Sequence, residues 1–145
     1  MVYPFSAHGS RYSYDLYTPD ASLKLPGCIN HGPVDYYDMT PYVFKQAKIN
    51  LNITLRSIKS GIPLRAFDIL GAGGFLLTNY QSDFSDCYVA DQDYVCFGSK
   101  EDLLQKLSYY LTHEEERKAI AQNGLHTTAT QHTYEHRIQE ILSYF

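Results

Sequence analysis

Residues 52–79, NITLRSIKSGIPLRAFDILGAGGFLLTN, carry the pattern on which the fold turns. They begin inside an alternating run, residues 48–54 (KINLNIT), where apolar and amide side chains take turns as they do on the two faces of a strand. A loop holding Ser60, Gly61 and Ile62 follows, and Pro63 then stands where a helix can start, because the missing N–H of proline costs little at the first helical position. Leu64, Phe67 and Leu70 recur at three-residue spacing up to Gly71, which predicts a helix over residues 63–71. Residues 75–78 (FLLT) are wholly apolar, as in a short strand buried on both faces of a parallel sheet. The glycines between them, Gly71, Gly73 and Gly74, read as a helix stop and a close-packing device, since no phosphate-loop or dinucleotide fingerprint surrounds them.

Working outward, residues 12–17 (YSYDLY) alternate and end at a TPD turn, and residues 28–31 (CINH) form a second short strand. Thr40 is the expected cap of a helix over PYVFKQA, with Pro41 at its first position. A short helix over residues 83–87 and a strand over residues 94–97 come after FLLT. Ser99 with Asp102 spells a capping box for a helix to about residue 111. Residues 114–123 predict another helix, closed by Gly124, and Thr133 opens the last one, to about residue 143. Strands alternate with helices through the middle and helices alone finish the chain. The expectation is an α/β fold: a Rossmann-like, doubly wound parallel sheet covered on both faces, with extra C-terminal helices. At 145 residues, without repeats or linkers, the chain reads as one domain, 1–145.

Composition narrows the function classes. A net charge of −4 supplies no basic face for a phosphate backbone, so nucleic acid is not an expected partner. Cys28, Cys87 and Cys96 are odd in number and far apart, which suggests reduced thiols in the cytoplasm rather than disulfides or zinc. No apolar run approaches the roughly 18 residues that span a bilayer. The six histidines are scattered; His132 and His136, four apart, read as surface or capping residues, and no metal site is expected. Neither a nucleophile elbow nor a motif around any cysteine supports a catalytic triad.

In open parallel sheets ligands bind beyond the carboxyl ends of the strands. The loop after KINLNIT leads to the helix at Pro63, whose free amides and positive dipole end suit an anionic group such as a diphosphate. Arg65 lies in that first turn, where a cation is unfavourable unless an anion compensates it. Asp68, three residues on, shares its flank. An internal Arg65–Asp68 pair on a solvated face and a ligand-binding pair are both open on spacing alone.

The run KINLNITLRSIKSGIPLRAFDILGAGGFLLTNYQSDF, followed later by HTYEHRIQEIL, resembles the glycosyltransferase group 1-like C-terminal domain of the spore-maturation CgeB-like family, over about residue 12 to the end. The resemblance implies the donor-binding C-terminal lobe of a two-lobe GT-B glycosyltransferase, with a nucleotide-diphosphate sugar as donor substrate and neither metal nor further cofactor. The N-terminal acceptor lobe is missing, so the chain is expected to be a fragment, inactive in isolation. Retaining members carry two glutamates separated by seven residues, the second within E-A-x-x-x-G. Carried over, the second acid falls on Asp68, which would accept from the ribose hydroxyls, and the glycine on Gly73. The first falls on Ser60, and Pro63 has no amide to offer the diphosphate. Arg65 would supply the positive charge and the stabilisation of the leaving group. By the same resemblance Thr54, Gly61 and Ile62 belong to the donor site. GPVDYYDM resembles the base-side loop, with backbone groups of Gly32 to Val34 toward the nucleobase and Tyr36 or Tyr37 either packing there or in the core. The competing reading is a non-catalytic α/β interaction or regulatory module that has lost its ligand, which Ser60 and Pro63 motivate. A receiver-like domain is disfavoured by the positions of Asp15, Asp35 and Asp38.

Overall fold

Paired strands in the computed structural model all run parallel, as the strand–helix alternation requires. The structure describes residues 14–145 apart from Arg56 and Lys59; the expected first strand begins at Tyr12, outside those residues. β1 (Tyr14–Tyr17) pairs with β2 (Cys28–Gly32) in a two-stranded sheet, and β3 (Asn50–Asn52), β4 (Leu76–Asn79) and β5 (Val95–Phe97) form a second sheet in that order. Helices α1 (Thr40–Gln46) and α2 (Leu64–Gly71) flank β3 in sequence, and a 3₁₀ helix (Ser82–Asp86) follows β4. Helices α3 (Lys100–Thr112), α4 (Glu114–Gln131) and α5 (Tyr134–Leu142) end the chain.

Strand alternation divides the core between the two faces of the larger sheet. Leu51, Leu77 and Val95 pack against Leu103, Leu107 and Tyr110 of α3 and Ile120 of α4. Leu76 joins Phe44 of α1, Ala66, Ile69 and Leu70 of α2, and Phe84 of the 3₁₀ helix on the other side. Each such side chain contributes roughly 1.5–3 kcal/mol on leaving water. β4, buried on both faces, accordingly reads as FLLT does, whereas the equally buried β3 sets Leu51 between Asn50 and Asn52, whose amides donate to internal acceptors.

Several expected details resolve differently. The buried stripe of α2 is Ala66, Ile69 and Leu70, while Leu64 is 55% exposed. Arg65 and Asp68 thus share the flank away from the core. Met39, not Thr40, occupies the cap position of α1, and Thr40 is already helical. Its hydroxyl donates to the Asp35 carbonyl at 2.9 Å, while the Asp35 carboxylate takes the N–H groups of Tyr37 and Asp38. Ser99 caps α3 as expected, but the Asp102 carboxylate reaches back to the N–H of Gly98 rather than closing the reciprocal box at Ser99. The complete capping box is at Thr133, with His136 as its partner.

Two glycines show how tertiary contact overrides local signals. Gly73, at φ +76°, ends α2 as expected: its N–H goes to the Leu70 carbonyl and that of Gly74 to Ile69, a Schellman pair. Gly124, expected to stop α4, lies inside it, and the helix continues to Gln131. A β-carbon there would collide with the Asp93 carbonyl oxygen and lie 2.7 Å from Leu70 Cδ2, so the glycine lets α4 cross close to α2 and the loop before β5. Alanine in an open helix position is worth about 1 kcal/mol over glycine. Here overpacking reverses the sign, and Gly124→Ala is expected to lower stability by roughly 1–3 kcal/mol in urea unfolding. A stabilised variant would contradict the close crossing.

Candidate functional site

β1 and β2 end at Tyr17 and Gly32, and the segments leaving them form one wall of an open cleft of about 270 Å³. Tyr17, Thr18 and Pro19 continue from β1, and Pro33, Val34 and Tyr36 from β2. Thr40, Val43 and Phe44 of α1 and Arg65 and Asp68 of α2 close the other side. The cleft thus sits beyond the carboxyl ends of parallel strands, where the loops of such a fold converge.

Two features hold its mouth in shape. The N–H of Thr18 donates to the Gly32 carbonyl at 3.0 Å, and the N–H of Gly32 to Asn30 Oδ1 at 2.9 Å. Gly32 has φ +74°, which turns the chain out of β2 toward Val34. The ring of His31 stacks on Tyr17 with centroids 4.8 Å apart, and its Nε2–H donates to Asp15 at 2.6 Å.

The charged pair is not an ion pair. Among the described residues, neither a salt bridge nor a hydrogen bond gives Arg65 a partner, and Asp68 receives the Tyr36 hydroxyl at 2.6 Å instead. The internal-pair reading therefore fails. Arg65 is the second residue of a helix whose first turn has neither an acid nor a side-chain cap, so its charge and the helix's positive end add there. The hydrogen bond to Asp68 holds the Tyr36 phenol protonated, pushing its pKa up to about 12, with partial desolvation assisting. Tyr36 in turn meets Tyr37 edge to face at 5.3 Å. Chemically the cleft offers one guanidinium, one carboxylate whose second oxygen has no protein partner among the described residues, hydroxyls of Thr18 and Thr40, and apolar walls.

Of the residues picked from sequence, Val34, Arg65 and Asp68 line this cleft together, and Gly32 supports its rim. Thr54, Gly61, Ile62 and Gly73 do not line it. Thr54 is buried at the end of β3, its N–H on Asn79 Oδ1 at 2.7 Å. The N–H of Gly61 is taken by the Asp83 carboxylate, whose pKa that bond lowers. Ile62 packs beside the α2 core, and Gly73 sits at the opposite end of α2 from Arg65, against Leu125. Thr18, Thr40 and Phe44 were not legible as site residues, since only the fold brings them to α2. No group of three or more His, Cys, Asp or Glu side chains that could hold a metal ion occurs among the described residues. Nor is any helix among them long and apolar enough to cross a membrane.

The sequence profile of the family described as glycosyl transferase-like matches residues 2–143. Among solved structures, the C-terminal domain of a glycosyl transferase group 1 family protein, LpcC from Francisella tularensis, superposes with a TM-score of 0.60 at 19% identity. The match covers 74% of this chain and 55% of that one, so the chain spans little more than half of its neighbour's length, and at that identity the likeness speaks for the fold. No curated protein sequence matches the chain.

The bond between Tyr36 and Asp68 is open to direct measurement by ¹³C NMR titration of tyrosine Cζ. In Asp68→Asn the Tyr36 phenol should titrate lower, toward its ordinary value of about 10. An unmoved titration would mean that Asp68 is not what holds the proton.

Proposed function

Because the chain belongs to the glycosyl transferase-like family, we propose that it is the lobe of a two-lobe glycosyltransferase that holds a nucleotide-diphosphate sugar, with the acceptor carried by a lobe outside this chain. The observation supporting this most strongly is the juxtaposition in one cleft, at the carboxyl ends of the strands, of Asp68 with Arg65, which has no ion-pair or hydrogen-bond partner among the described residues. A guanidinium in the first turn of a helix that has neither an acid nor a side-chain cap there is the complement of a diphosphate, which it can meet with two parallel N–H bonds. A carboxylate with one oxygen unengaged suits a pair of ribose hydroxyls. Val34 and the edge of Tyr36 give the nucleobase an apolar surface. The resemblance carried by SGIPLRAFD, GAGGF and HTYEHR favours the CgeB-like branch, and the three widely spaced cysteines favour a reducing, cytoplasmic setting.

In this reading, transfer breaks the bond between the anomeric carbon and the distal phosphate oxygen, the electron pair leaves with the diphosphate, and the acceptor's nucleophilic atom bonds to that carbon in its place. Arg65 and the α2 amides stabilise that charge as it develops, and electrostatic help of this kind is worth most where it is fixed beforehand. Ser60 puts no carboxylate near the sugar from the loop before α2. The chemistry at the anomeric carbon is then left to groups outside Arg65 and Asp68.

Calorimetry with uridine and guanosine diphosphate checks the proposal. Wild type should bind one of them, and Arg65→Ala should weaken that binding by about 10- to 100-fold, the worth of a hydrogen bond to a charged group. Equal affinities would remove Arg65 from the site. Absence of binding to folded wild type would favour a module that has lost its ligand.

A further inference from the structure

We infer that Tyr17 is the stacking platform for the nucleobase of the donor and that His31, held by Asp15, is the positioning residue that fixes its ring; the inference rests on the nucleotide-sugar reading above. Tyr17 is the last residue of β1 and lies opposite Gly32, the last residue of β2, so it leaves the sheet beside the turn that carries Pro33 and Val34. Tyr17 lines the cleft and His31 does not. The imidazole lies 14° from parallel to the Tyr17 ring, with centroids 4.8 Å apart, so it covers one ring face. Among the described residues no other ring meets Tyr17, which leaves the opposite face and the edge to the cleft. A nucleobase is flat and stacks on such a face whatever its identity. A phosphate is not suited to it, because the face of an aromatic ring carries negative charge density. Arg65 and Asp68 stand on the other wall, so the base and the diphosphate of one nucleotide have separate places.

β2 carries an extra residue at this point. Leu16 pairs with Asn30 and Tyr17 with Gly32, so the register slips by one and His31 faces no residue of β1. Such a bulge re-aims the side chain it carries. Asp15 and Tyr17, two apart on β1, share one face of the strand, which is why a single imidazole meets both. Its Nε2–H donates to the Asp15 carboxylate at 2.6 Å while its plane lies against the Tyr17 ring. An ion pair or hydrogen bond between groups at 40% and 39% side-chain exposure adds little to folding. What it fixes is the plane of the imidazole and, through the stack, the plane of the Tyr17 ring. Burial, and then the nearby Asp15 carboxylate, raise the Tyr17 pKa, so the phenol stays protonated and the platform uncharged.

The test is calorimetry and proton NMR of uridine diphosphate and guanosine diphosphate with the chain labelled at its tyrosine rings, as wild type, Tyr17→Phe, Tyr17→Leu, His31→Ala and His31→Phe. Protons of the bound base should move upfield and cross-relax with a tyrosine ring whose signal disappears in Tyr17→Phe, a variant that keeps its affinity. Tyr17→Leu should bind the nucleotide about tenfold more weakly, the worth of one stacked base. His31→Ala should weaken binding by about threefold and shrink the upfield shift, one aromatic pair's worth, and His31→Phe should restore both. If a nucleotide binds but its base protons touch no ring lost in Tyr17→Phe, or if Tyr17→Leu keeps full affinity, the platform is overturned and the nucleotide reading stands. If folded wild type binds neither nucleotide, both fall. Unchanged affinity and shift in His31→Ala, or no recovery in His31→Phe, would overturn the positioning role of His31.

Discussion

The walls of the cleft depend on a buried amide at the amino end of β3. Asn50, fully buried, donates from Nδ2 to the Phe44 carbonyl at 2.9 Å and the Phe75 carbonyl at 3.3 Å. The first bond ties α1 to the sheet through a residue that itself lines the cleft, and the second ties the entry of β4 to β3. Neither is possible unless the chain between α2 and β4 passes very close. A β-carbon on Gly74 would sit 2.6 Å from Asn50 Nδ2 and 2.8 Å from the Phe44 carbonyl oxygen. The glycine cluster in GAGGF therefore does two jobs, since Gly73 ends α2 and Gly74 leaves room for the amide that positions α1 opposite Arg65 and Asp68.

That arrangement makes the cleft electrostatically unfinished. A helix with an arginine in its first turn and neither acid nor cap near it is less stable than the same helix with an N-terminal acid. Tyr36 binds Asp68, the carboxylate closest in sequence to Arg65 on that flank, so the available internal compensation is not used. Such conflicts between local chemistry and the rest of the fold concentrate at binding sites. By contrast α3 has Glu101 and Asp102 in its first turn, and α4 has Glu114, Glu115 and Glu116, with Glu114 paired to Lys118 at 2.7 Å. The helices remote from the cleft obey the rules that α2 breaks.

Most of the architecture was legible because local chemistry and global fold agree over most of the chain. FLLT could only be a strand buried on both sides, and Ser99 and Thr133 cap the helices that their spacing announces. Errors arose where distant groups decide. Gly124 carries a stop signal, yet it serves a crossing with α2 that no local window contains. Thr40 has the chemistry of a cap, but Asp35 organises the turn before it and draws its hydroxyl away. Three-residue spacing in α2 suggested a stripe through Leu64, whereas the buried face runs through Ala66, Ile69 and Leu70. At the cleft, Arg65 and Asp68 were visible as an odd pair in a first turn. Their separation and the tyrosine on Asp68 depend on a loop more than thirty residues away in sequence.

In the proposed function a nucleoside diphosphate lies between the ends of β1 and β2 and the first turn of α2. Titrating the ¹⁵N-labelled chain with uridine or guanosine diphosphate, and mapping the amide shifts, tests it most directly. The predicted result is a contiguous set of perturbed amides at Thr18, Val34, Tyr36, Arg65 and Asp68, with α3 and the C-terminal half of α4 silent. Shifts confined to those distant helices, or none at saturating nucleotide, would contradict it.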